Sequence, residues 1–451
     1  MSKRLHTLLQ HLGLHRSELR AWAMYDWANS AFVLVIATAV FPIYFKNVAA
    51  QGLDDTSATE RYGWATTLAL SFAAALSPIL GALADFRAAR KRLLALSLLL
   101  GVPTTGCMYF VGYGDWQLAL ALFVMSNIGL SLSFVFYDSL LPHIATYQEV
   151  DRVSAAGYAL GYLGSGVLLA LNLAWIQMPH LFGIADASTA TRLTFLSVAV
   201  WWGVFSIPLF TTVREPPRRI EADETNTTSA VKITFRRLFE TLHDLRGLYH
   251  QAFLALLAMF VYNDGIGTII RMAALYAATI GVPQQHVIFA ILLVQFVGIP
   301  FSFLFGVLAG RIGAKWSIMI GLAVYCAISI VAYSMTSTAE FYILALLVAT
   351  VQGGTQALSR SLFASMIPKH KTSEMFGFFS VFEKISGILG PLLFSAAIAA
   401  TGSTRAAILS VIAFFVAGAA LLSFVNVAEG RREAQEAEER LLTDAPLEDR
   451  R

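Results

Sequence analysis

Charged side chains are scarce in this sequence: 14% of its 451 residues carry charge and 57% are hydrophobic. Soluble proteins average about 25% charge, so the surface of a chain this long would not stay in water. Cysteine is scarcer still. Cys107 and Cys326 both fall inside apolar runs, which excludes a disulfide framework and makes buried thiols the expectation. The net charge of +3 is too small to indicate nucleic acid. No Walker A stretch, HExxH pair or nucleophile elbow occurs. An enzyme and an ATP-driven pump are therefore not expected, nor any cofactor. The apolar–polar alternation of a membrane barrel is missing as well.

Long apolar runs are what the chain does have. Mean hydropathy is +0.64, and twelve runs stand out: 22–45, 61–84, 92–113, 116–140, 153–177, 190–213, 250–280, 285–309, 315–335, 338–364, 376–400 and 404–427. Each matches the ~20 residues that cross a ~30 Å hydrocarbon core, and helices satisfy their own backbone in lipid. The fold class is accordingly all-α, a polytopic membrane protein of twelve spans. The first run has no small-residue cleavage site and reads as a retained helix rather than a signal peptide. One long break divides the runs six and six. It yields an amphipathic segment 1–21, a bundle 22–213, a linker 214–249, a second bundle 250–428 and a charged tail 429–451.

Lysine and arginine set the orientation. With both ends on one side, that side collects 25 of the 32 basic residues, and the other side four: Lys46, Arg61, Arg192 and Arg405. The positive-inside rule makes both ends cytoplasmic, and a bacterial inner membrane is the expected location. Leu5, Leu8, Leu9 and Leu12 repeat at helical spacing, as do Phe235, Leu238, Phe239, Leu242 and Leu245. Both segments read as amphipathic helices on the inner leaflet. His11 and His15, one turn apart, read as a surface pair, because no cysteine or carboxylate completes a metal site. The glutamate-rich tail from Glu429 reads as solvated or disordered.

The halves echo each other. Gly81-Ala82-Leu83-Ala84-Asp85 closes span two ahead of Arg90-Lys91-Arg92, and Gly306-Val307-Leu308-Ala309-Gly310-Arg311 closes span eight ahead of Lys315. Pro142 ends span four as Pro368 ends span ten, and Tyr25-Asp26 in span one answers Asn263-Asp264 in span seven. Duplicated halves are a transporter architecture. At these residues the chain resembles the major facilitator superfamily: Gly81–Arg92 is similar to its loop-two signature, with Phe86 and one extra residue before Arg90 departing from the usual spacing, and Gly310 in place of the aspartate in the second copy. More narrowly, three blocks resemble the autophagy-related vacuole-effluxer branch. They are Tyr25-Asp26-Trp27-Ala28-Asn29-Ser30-Ala31-Phe32, Tyr262-Asn263-Asp264-Gly265 and Gln352-Gly353-Gly354-Thr355-Gln356-Ala357-Leu358-Ser359-Arg360-Ser361. The resemblance covers all twelve spans. It implies two pseudo-symmetric six-helix bundles, a central cavity lined by spans one, four, seven and ten, and alternating access. It also puts Asp85 beside the start of span eleven. The yeast vacuolar member is associated with amino-acid efflux, which implies an amino acid or similar zwitterion.

Seven ionisable residues lie inside the runs: Asp26, Asp138, Asp264, Arg271, Arg360, Glu383 and Lys384. At a helix centre Asp, Lys or Arg costs ~2.5–3.5 kcal/mol on insertion scales, so these groups face a partner or a water-filled cavity. Paired packing struts are the other reading. Polar stripes follow helical spacing: Asp26 with Asn29 in span one, Asn127, Ser131 and Asp138 in span four, and Gln352, Gln356 and Arg360 in span ten. Asp264 and Arg271 share a face but stand about 10 Å apart along the axis, too far to pair directly. Asp264, Glu383 and Lys384 lie near mid-depth with Arg271 outward of them. Arg271 or Lys384 is expected to take a substrate carboxylate, and Asp264 or Glu383 an ammonium. Four acids against three bases leave one acid to carry a coupling proton. Asp26, Asp138 and Arg360 share a cytoplasmic depth. At least one acid is expected to pair with Arg360 and close the inner gate; the alternatives are that Arg360 binds substrate or pairs with Asp264.

Gly157, Gly161 and Ser165 follow small-xxx-small spacing in span five, and Pro300 and Gly390-Pro391 mark bends. With Gly81, Asp85 and Arg90 they are the expected moving parts. The function expected is secondary transport of a small polar solute by a monomer in the bilayer, without nucleic acid. Export of drugs or sugars is the runner-up, and a channel or lipid-moving protein follows.

Overall fold

A computed structural model describes residues 3–217, 239–241, 243–386 and 389–444. All regular structure among them is helical, as lipid requires of a chain whose backbone must satisfy itself. Ten helices are long and apolar enough to cross a membrane. Spans one to five are Ser17–Ala49, Asp55–Arg87, Arg90–Phe110, Trp116–Ile144 and Val150–Gln177. Spans six to ten are Ala187–Thr212, His250–Arg271, Gln284–Ile312, Ala314–Ser334 and Thr338–Ala364. The eleventh expected run falls on two helices, Thr372–Ile385 and Leu389–Thr401, broken just ahead of Gly390-Pro391, and the twelfth on Thr404–Ser410 and Ile412–Ser423. Pro300 lies inside span eight, which continues through it.

Polar caps extend several helices beyond their apolar runs. Asp54 Oδ1 accepts from Ser57 N at 2.9 Å, Asp186 Oδ1 from Thr189 N at 2.8 Å, and Ser337 with Glu340 forms a capping box. The backbone N–H bonds hold both exposed aspartates below the ordinary carboxylate range. Span one packs on spans five and six; the two sets of six meet where span two lies on span eleven and span five on spans eight and ten.

Four expectations need correction. The amphipathic start is helical over Lys3–His11, but Leu9 and Leu12 pack on the bundle, Leu14 is buried, and Arg16 binds Ile144 O and Glu149. It docks on protein because Arg16 is the donor that the end of span four lacks. In the linker, Phe235, Leu238 and Leu242 lie outside the described residues; Phe239 is exposed as expected, but Leu245 is buried, Thr241 donates to Glu374, and Asp244 accepts from Lys371 at 3.0 Å. The tail is a helix, Val427–Asp444. Its Glu438 accepts from Lys369 N at 2.9 Å, and Arg431 stands 5.9 Å from the Tyr147 ring. Cys107 is exposed rather than buried, because one face of span three is turned outward.

Candidate functional site

The helix ends and the turn that carry Arg87, Arg152, Arg311 and Lys369 alternate to one end of the bundle, the basic face. There the two halves are bolted together. Span two reaches span eleven because Gly81 has no side chain: a Cβ would overlap Ser373 O. One turn on, Asp85 is buried, pairs with Arg90 Nη2 at 2.5 Å and accepts from Glu374 N at 2.9 Å. The carboxylate thus caps the first turn of Thr372–Ile385, where the helix dipole favours negative charge. Thr372 Oγ1 lies 3.1 Å from His143 Nε2, and Ser373 Oγ 3.1 Å from Ser139 Oγ. Glu215 accepts from Arg90 N and Lys91 N at 3.0 and 2.8 Å; burial pushes its carboxyl above the ordinary range, against those bonds. In the second copy a Cβ at Gly306 would stand 2.7 Å from Ala155 Cβ, and one at Gly310 2.9 Å from Arg152 Nη2. Arg152 therefore lies over the position that the first copy gives to Asp85.

A cavity of about 550 Å³ lies between the halves. Span ten lines it from Phe341 to Arg360, about 28 Å of helix, so it runs from the basic face well toward the opposite one. Asn29, Asn127, Asn263, Gln352 and Gln356 supply its polar wall, and Val33, Phe134, Ile270 and Leu344 part of its apolar wall. In span one the wall is partly π-helical, Phe32–Val40, a geometry frequent at functional sites. Glu383 and Lys384 line the cavity and pair with each other at 3.0 Å.

At the basic end Arg360 meets both acids. Its Nη1 donates to Asp138 Oδ1 at 3.0 Å and its Nη2 to Asp26 Oδ2 at 3.1 Å; Nε donates to Ser154 Oγ at 2.9 Å. The rings of Trp22, Tyr158 and Tyr137 stand 4.8, 4.7 and 5.6 Å from its guanidinium carbon. Burial makes each of these bonds strong and each missing partner expensive. Gly157 gives the ion group its room: a Cβ there would overlap Asp26 Oδ2 and lie 3.1 Å from Arg360 Nη2. Gly161 faces span one in the same way: a Cβ there would stand 2.5 Å from Ser30 Oγ.

Gly157→Ala is expected to lower the thermal midpoint by the equivalent of about 1–3 kcal/mol, the range for overpacking. Gly63→Ala, whose Cβ meets nothing within 4 Å, should be neutral or stabilising. Equal melting of the two variants would remove the packing argument.

Two expected site residues turn away. Asp264 is fully buried, with Gly390 against it, and neither it nor Arg271 lines the cavity. They also approach each other at 3.9 Å, although two turns apart. Gly267 between them has no Cβ, so the Arg271 side chain lies back along its own helix. Ser154 and the three rings around Arg360 were not among the expected residues. Ser154, Gly157, Tyr158 and Gly161 fall on one face of span five, and that spacing was the available signal.

Two six-helix sets around a charged cavity define a major facilitator transporter. The structure superposes on the major facilitator proton:xylose symporter XylE with a TM-score of 0.69 over 94% of this chain and 98% of that one, at 14% identity. In sequence the chain is 38% identical to YxiO of Bacillus subtilis, described as an uncharacterized MFS-type transporter, over 90% of this chain and 94% of that protein. It is 28% identical to autophagy-related protein 22 of Yarrowia lipolytica over 63% of this chain and 52% of that protein. The model of the vacuole effluxer Atg22-like family matches residues 62–435. The chain belongs to this family, an integral membrane protein of the secondary-transporter class, as the blocks in spans one, seven and ten indicated.

Proposed function

We propose that the protein carries a small zwitterion, an amino acid or a close analogue, across a bacterial inner membrane by alternating access, with the basic face cytoplasmic and the described state facing outward. The observation that carries this reading is the meeting of Arg360 from the second half with Asp26 and Asp138 from the first at the basic end of the cavity. A buried ion group between two bodies holds while they are together and separates when they rock apart. Beyond it, Asp85 and the serine and threonine contacts close the basic face. A wall with both charge signs suits a solute with both, and its surplus carboxylate suits a coupling proton.

Counterflow into liposomes over a panel of amino acids, sugars and organic cations, with and without a pH gradient, tests the reading. Exchange of amino acids above protein-free liposomes is expected; exchange confined to sugars or lipophilic drugs would replace the substrate class. Orientation has its own check. In a background lacking Cys107 and Cys326, Gln51→Cys and Ser188→Cys should react with an impermeant maleimide from outside intact cells, and Arg87→Cys and Arg311→Cys only after lysis. Labelling of Arg87→Cys in intact cells would invert the topology.

A further inference from the structure

Among the described residues, the groups that bond to or stack on the Arg360 guanidinium belong to the first six spans. Trp22 and Asp26 come from span one, Tyr137 and Asp138 from span four, Ser154 and Tyr158 from span five; the arginine comes from span ten. One body thus carries a complete cation site, and the other body's arginine fills it. The box is braced without the arginine. Trp22 Nε1 donates to Tyr137 O at 3.0 Å, and the two rings stack at 4.5 Å. When the halves part at this end, Arg360 must withdraw. Two desolvated carboxylates and three π faces then remain, and both kinds of group favour a cation. Asp26, Asp138 and Tyr158 also line the solute cavity, so a solute reaches the box directly. The cavity lining as a whole sets three carboxylates, Asp26, Asp138 and Glu383, against two cations, Arg360 and Lys384, an excess that favours a positive group of the solute.

The geometry points to the Asp26–Asp138 box as the subsite for a primary ammonium or guanidinium group of the transported solute, which takes the place of Arg360 when the halves part. This rests on the transport reading above and names the group of the solute that the carrier grips. Arg360 is then a resident competitor. Without a solute cation its withdrawal exposes two unpaired acids, so the empty carrier reorients slowly and the loaded one fast. Exchange is favoured over net flux, and the freed guanidinium is available to a solute carboxylate.

Arg360→Ala leaves the box vacant. In the purified full-length variant, millimolar 1-ethylguanidinium chloride is expected to raise the melting midpoint saturably, where sodium chloride at equal ionic strength does not, and adding Asp138→Asn should abolish the rise. Arg360→Gln replaces the alanine variant if the latter does not fold. In wild-type liposomes, phenylalanine, 2-phenylethylamine and 3-phenylpropanoate share one apolar body and differ only in charge. Both amines are expected to exchange about tenfold or more faster than the acid, a ratio that one hydrogen bond to a charged group supplies, and Asp26→Asn should remove that preference. No saturable response to ethylguanidinium in either folded variant overturns the box. Counterflow of the acid as fast as of the amines overturns it too, while leaving the transporter reading standing. Absence of counterflow for all three and for the wider panel, with ethylguanidinium still bound, removes the transport reading and this proposal with it.

Discussion

Arg360→Asp is expected to melt well below the wild type and to lose transport, and adding Asp138→Arg is expected to restore part of both. Removing one partner of a buried ion pair costs about 3–5 kcal/mol. Here the loss is compounded, because Asp26 and Asp138 stay behind with side chains only 7 and 10% exposed and a third acid joins them. In the double variant the arginine on span four faces the new aspartate on span ten, so that pair stays opposite in sign, while the contact with Asp26 becomes a meeting of two acids and limits the recovery. Residues in one ion network couple by about 0.5–3 kcal/mol, and recovery of that size in the melting cycle is the expected result. Asp26→Arg with Arg360→Asp is the companion swap. If neither double exceeds its singles, while Arg360→Lys keeps turnover but weakens solute binding, the arginine is a solute ligand and not a gate.

Asp85→Asn should shift the carrier inward without unfolding it. The asparagine oxygen still accepts from Glu374 N, but the charge facing Arg90 and the first turn of Thr372–Ile385 is gone. A charge at a helix N-terminus contributes up to about 2 kcal/mol, roughly thirtyfold in the balance of the two facings. Slower counterflow is expected from a protein that still folds, with a melting midpoint lowered by the unpairing of buried Arg90. Asp85→Ala, which also removes the acceptor, should act more strongly. Transport and melting unchanged in both variants would make Asp85 a bystander.

The spans were legible because hydrocarbon admits only long apolar helices, and the ion group because buried charge demands a partner. Counting residues at 1.5 Å each put Asp26, Asp138 and Arg360 at one depth, where the structure joins them. Rotation about a helix axis was not legible at the same grain. Asn263 faces the cavity and Asp264 faces Gly390; one position is 100° of turn, finer than an apolar pattern resolves. Spacing along an axis also ignores side-chain reach, so Arg271 returns to Asp264 over Gly267. Trp22, Tyr137 and Tyr158 were hidden for a different reason: aromatic residues in a span look like ordinary packing until a cation stands against them. The tail escaped because composition describes an isolated segment, whereas this helix is held at Lys369 and Tyr147.

Arg360 holds the basic ends of the two halves together. Spin labels at Arg87→Cys at the end of span two and Arg311→Cys in the last turn of span eight, with Cys107 and Cys326 replaced by serine, report that separation by electron–electron resonance. One short distance is expected in the wild-type background, a second, longer population in Arg360→Gln, and partial return to the short one in the Asp138→Arg, Arg360→Asp pair. Identical distance distributions in all three proteins would contradict that role of Arg360.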